Sequence, residues 1–133
     1  MAAPIDFELG GQSYRAGGMS PLVQFHVVRR LAPFMGAMAQ LKGSGVQPIM
    51  EAVAGMADAD CEYVLFACLG TAKRRQGDAW APVLAGEHQI MFADIDLGLM
   101  LQLAARVIQS DLASFFGALF AQDQGAAAET GHA

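Results

Sequence analysis

The residues of this 133-residue chain whose types could supply a nucleophile, a base or a metal ligand are few and scattered. The histidines are His26, His88 in a predicted turn, and His132 near the end, so no triad follows from them. Ser13, Ser20, Ser44, Ser110 and Ser114 lack a nucleophile elbow. Cys61 or Cys68 acting with His26 would require contact between two predicted helices. Cys61 and Cys68 are seven residues apart in a predicted helix, which separates them by about 10 Å at ~1.5 Å per residue. That is beyond the roughly 7 Å that a disulfide spans between Cα atoms. They share a face with Val64, Leu65 and Ala72 and read as small buried hydrophobes. No His or second Cys stands at the short spacings of zinc sites. The acid pairs Asp58/Asp60 and Asp94/Asp96 each precede an apolar helical run, where capping accounts for them. Gly10-Gly11 and Gly17-Gly18 have neither the spacing nor the Lys-Ser/Thr of a phosphate loop. No enzyme, metal or cofactor is expected.

Two blocks are built for contact instead. One is Gln24-Phe25-His26-Val27-Val28-Arg29-Arg30-Leu31-Ala32-Pro33; the other is Lys73-Arg74-Arg75-Gln76-Gly77-Asp78-Ala79-Trp80-Ala81-Pro82-Val83, which holds the sole tryptophan. Their cations could gather into one basic surface with Trp80 stacked on a guanidinium or on a partner. Solvated helix ends and a core tryptophan fit the same residues.

The elements that must position these blocks follow from period and punctuation. Ile5-Asp6-Phe7-Glu8-Leu9 alternates, and Gly10-Gly11 turns the chain into Gln12-Ser13-Tyr14-Arg15, giving a β-hairpin. Ser20-Pro21 starts a helix, and Pro33 breaks or kinks it before it resumes over Phe34 to Leu41. Lys42 to Pro48 is a loop. Pro48 opens a short helix, and Asp58 or Asp60 caps the next, which runs to about Lys73. The basic triplet Lys73-Arg74-Arg75 then meets the negative end of that helix, with Gly77 as the stop. Ala81 to Phe92 reads as a second hairpin around Gly86-Glu87-His88. Asp94 or Asp96 caps a last helix whose apolar residues, from Leu97 to Leu119, keep the 3.6-residue period. The expected fold is α+β but mainly α: a helical domain, residues 1–120, with one or two small β-hairpins and a flexible Ala/Gly-rich tail over 121–133.

Composition supports a single domain with ample core material, at 54% hydrophobic residues and a positive mean hydropathy. Eight methionines offer soft surfaces for core filling or for gripping variable partners. A net charge of −5 argues against a nucleic-acid partner, whose phosphates call for clustered Lys and Arg. Met1 to Arg15 lacks the pattern of a secretory signal, so the cytoplasm is expected. Gln102, Arg106, Gln109 and Asp111 interrupt the Leu97 to Phe120 region, so no membrane span is expected.

The order of hairpin, Gln-Phe-His-Val with Arg-Arg-Leu-Ala-Pro, Arg-Arg-Gln-Gly with Trp-Ala-Pro-Val, and a Leu/Val/Phe helix resembles the tail assembly chaperones of tailed bacteriophages and prophages. Gln89 to Leu97, Leu101 to Gln109 and Leu112 to Phe116 extend the resemblance, which covers Phe7 to Phe116. It implies a non-catalytic protein that coats the tape measure protein and helps recruit tail tube subunits, with self-association an open option. Phe25, Arg29, Arg30, Arg74, Arg75 and Trp80 are the partner-contacting candidates, Arg as bidentate donor and the aromatics as anchors. A structural virion component, such as a tail completion or connector protein, and a nucleic-acid-binding regulator are the alternatives.

Overall fold

The computed structural model describes residues 3–36, 46–86 and 88–113. The N-terminal alternation does form a hairpin, β1 (Ile5–Leu9) and β2 (Gln12–Ala16), with Phe7 opposite Tyr14 and Asp6 opposite Arg15. Gly10 and Gly11 both have positive φ, +57° and +79°, as a tight turn between right-twisted strands requires.

The hairpin is not isolated. β2 pairs with β3 (Lys73–Gln76), and β3 turns through Gly77 into β4 (Ala79–Pro82), giving a four-stranded antiparallel sheet in the order β1-β2-β3-β4. This overturns the expectation of a mainly helical domain with one or two small hairpins: the fold is α+β, and the sheet is one of its principal layers. It also moves the basic triplet from a helix end into a strand. The preceding helix stops at Leu69, and Thr71 then ties the chain to the end of β2. Its hydroxyl donates to the Cys68 carbonyl at 2.7 Å and accepts from the Gly17 amide at 2.9 Å, which delivers Lys73 alongside Arg15. The expected second hairpin is present as β5 (Leu84–Ala85) and β6 (Gln89–Ile90), while Ala81 and Pro82 belong to β4.

The α-helices among the described residues are α1 (Pro21–Leu31), α2 (Gln47–Ala54), α3 (Asp58–Leu69) and α4 (Leu97–Asp111). Ser20 caps α1 by accepting from the Val23 amide at 3.4 Å, and a 3-10 turn over Ala32–Phe34 marks the break at Pro33. The expected resumption to Leu41 is described only through Gly36; Lys42 to Gly45, Phe115, Phe116, Leu119 and the 121–133 tail lie outside the described residues. Neither Asp58 nor Asp60 caps α3. Ala57 holds that position, and both acids sit in the first turn, where they complement the positive end of the helix dipole. Asp96 caps α4 by accepting from the Leu99 amide at 2.9 Å.

The helices cover one face of the sheet. Tyr14 from β2, Val27 and Leu31 from α1, Val64, Cys68 and Leu69 from α3, and Leu103, Val107 and Ile108 from α4 share one buried cluster. α1 packs against α3, and α4 packs against α2, α3 and β1. At its end the buried Asp111 carboxylate accepts from the amides of Gly18 at 2.8 Å and Met19 at 2.7 Å. One side chain of the last helix thereby fixes the loop that joins the first hairpin to α1.

Candidate functional site

The alternation of β3 decides where its three cations go. Arg74 lies on the same side as Phe7 and Tyr14, facing the helices, whereas Lys73 and Arg75 point to the open face. Arg74 is buried, with its Nη1 donating to both Asp94 oxygens at 2.8 Å and its guanidinium 4.4 Å from the Phe92 ring. The Asp94 carboxyl is held below its ordinary value, first by that hydrogen bond. Arg74 therefore fastens the segment before α4 to the sheet. Burial raises the pKa of the neighbouring Tyr14 hydroxyl, and the Arg74 charge opposes that rise.

Trp80 stands opposite Arg75 on the open face and is half-buried there. Its cover is Arg15, whose guanidinium is 4.4 Å from the indole centroid. Arg15 is itself held by Asp6 through a two-point ion pair, Nε to Oδ1 at 2.7 Å and Nη2 to Oδ2 at 3.0 Å. The pair depresses the Asp6 pKa and raises that of Arg15, the hydrogen bond being the larger cause in each. Arg75 donates from Nε to the Gly77 carbonyl at 2.9 Å, which pins it over the β3–β4 turn. Asp6, Phe7, Glu8, Ser13, Arg75 and Trp80 line a shallow open hollow of about 280 Å³ on this face.

The other block lies on α1. Leu22 and Phe25 are 66% and 57% exposed, one helical turn apart, and Arg29 is exposed a turn further on. Arg30 faces inward: it stacks 4.0 Å above the Tyr63 ring, donates to the His26 carbonyl at 2.9 Å and lies 3.2 Å from an Asp60 oxygen. The six predicted contact residues thus divide into an outward set, Phe25, Arg29, Arg75 and Trp80, and an inward pair, Arg30 and Arg74. Among the described residues, no hydrogen bond, ion pair or ring contact joins the α1 group to the sheet group.

With both surfaces in place, comparison with known proteins decides the family. The family model described as phage tail assembly chaperone protein, TAC, matches residues 10–125. The chain belongs to the phage tail assembly chaperone family. No curated protein and no solved structure matches it. The match spans α1, β2, the β3–β4 hairpin and α4, and so includes the α1 surface of this chaperone and all of its sheet surface except the β1 residues Asp6, Phe7 and Glu8.

Its thiols are poorly suited to nucleophilic work. Both cysteines are free, and burial pushes the Cys68 thiol far above its ordinary range. Burial also raises Cys61, with the charges of Asp58 and Glu62 adding to the effect. Among the described residues no helix is long and apolar enough to cross a membrane. Sequence reasoning missed Leu22, Arg15 and Asp6 as members of the two surfaces. The last two were recoverable, because a turn at Gly10-Gly11 places residues 6 and 15 opposite each other.

Proposed function

We propose that this chaperone binds the tape measure protein in the bacterial host cytoplasm and helps bring tail tube subunits to it, without catalysing a reaction. The observation that carries the reading is the α1 ridge, where Leu22 and Phe25 project into solvent beside Arg29. Exposed large apolar side chains one turn apart suit the face of an amphipathic helix, the kind of surface a long helical tape measure presents before assembly. Phe25 serves as the aromatic anchor and Arg29 as the flanking donor. Arg30 and Arg74 act indirectly, by holding α1 to α3 and the pre-α4 segment to the sheet. The non-catalytic part of the reading rests on family membership and on the two raised thiol pKa values.

Coexpression with the tape measure protein of the same gene cluster tests this. Soluble tape measure that copurifies with this chain, and is lost with L22S/F25S, is the expected result. Insoluble tape measure with or without the chaperone, and the chaperone running alone, would overturn it in favour of a structural virion component.

A further inference from the structure

The open face of the sheet offers a chemistry unlike that of the α1 ridge. Lys73 and Arg75 stand on it without an ion pair within 4.0 Å among the described residues, although the Arg75 charge acts on Asp6 across the hollow and the chain as a whole carries a net charge of −5. Arg15, the third cation, is already neutralised by Asp6 and serves as the lid of Trp80. Tethering of Nε to Gly77 fixes Arg75 while leaving both Nη groups without a hydrogen-bond partner among the described residues. The hollow beside it is floored by Ser13 and bounded on the far strand by Glu8. The surface is therefore bipolar: acidic along β1, basic on β3, with an aromatic wall on β4.

From this arrangement we infer that the outer sheet face is a docking surface for an extended, carboxylate-bearing protein segment, whose acids pair with Arg75 and Lys73 while an adjoining apolar side chain rests against Trp80. Charge complementarity selects this occupant. An arginine with free Nη groups matches a planar carboxylate in two-point fashion, and its tether lowers the ordering cost of binding. A nucleic acid fits less well, because its continuous phosphates would run onto Glu8, and stacking platforms for bases use successive aromatics where this face has one. A second copy docked through β1 would set Asp6 and Glu8 against their own counterparts, a like-charge arrangement that sheets avoid. The inference is independent of what α1 binds.

Trp80, the sole tryptophan, reports directly on this face. The full-length protein is titrated with a short peptide alternating Glu and Thr around one Leu, with its Gln-for-Glu counterpart, and with single-stranded oligothymidylate, reading indole fluorescence. The expected result is a saturable change with the acidic peptide alone, weakened on the order of tenfold by K73Q/R75Q and retained in E8Q. Circular dichroism of K73Q/R75Q should match that of the parent, since both side chains are exposed. Equal response to the neutral peptide, tighter binding of the oligonucleotide, or self-association that blocks the peptide would each overturn the inference. Loss of peptide binding with tape measure rescue intact would support it and keep the two surfaces separate. Retained peptide binding in a protein that fails to rescue would support it while counting against the α1 reading.

Discussion

Two carboxylates illustrate how much of this fold hangs on single side chains. Asp111 satisfies two amides of the 17–19 loop from a buried position at the end of α4. Removing it orphans both donors, so Asp111→Ala should cost roughly 2–4 kcal/mol in denaturant unfolding, and Asp111→Asn less because one acceptor remains. Asp94 works by charge. Its folded pKa lies below the ordinary 3.8, so its pairing with Arg74 contributes stability above that value and loses it as the pH falls through the folded pKa. Wild type should therefore exceed Asp94→Asn in Tm at neutral pH, and the gap should close on acidification below pH 3.8. A gap that stays constant down to the folded pKa would mean that the ion pair contributes nothing. Arg74 was legible only as a cation. That it would lie inward under Phe92 depends on strand parity, and parity could not be assigned while Lys73 to Gln76 was read as a helix end.

At the scale of elements, the first hairpin, α1 with its break at Pro33, and the Asp96-capped α4 were legible because each carries both a period and a punctuation mark. β3 lacks the period: its four residues, Lys-Arg-Arg-Gln, have no apolar alternation, and Gly77 reads equally as a helix stop or as the turn into β4. The pairing that joins β3 to the first hairpin comes from residues almost sixty positions earlier. Long-range pairing of this kind leaves no local mark. The hinge between the hairpin and the helices is Gly17, with φ of +105°, where a Cβ would come within 2.8 Å of an Asp111 oxygen. Gly17→Ala should thus destabilise by about 1–3 kcal/mol and raise amide exchange at Gly18 and Met19. The α1 ridge behaves oppositely. L22S/F25S should leave stability within about 1 kcal/mol of wild type while abolishing tape measure rescue, because neither side chain belongs to the buried core.

The whole molecule combines two surfaces of different character on one core. Attachment through α1 is apolar and should resist salt, whereas attachment through Lys73 and Arg75 should weaken as ionic strength rises past the point where the screening length falls below about 10 Å. Pull-downs from low and high salt would separate the two, and equal salt sensitivity would contradict the division. That the 6/15 pair would lie on the same face as the 75/80 pair could not be read in advance, because only the long-range pairing of β2 with β3 brings the two hairpins into one sheet.

The link from Asp111 to Gly18 and Met19 spans 93 and 92 positions, and it bears on how the protein is made. At a synthesis rate of about 5–20 residues per second, roughly 5–20 s separate the appearance of the loop from that of the side chain that fixes it. For much of that interval the hairpin exists without β3 beside it and without α4 over Phe7 and Tyr14. Until α4 is translated, the nascent chain holds an apolar sheet face still short of its cover, and this chaperone passes through a state that itself calls for shielding.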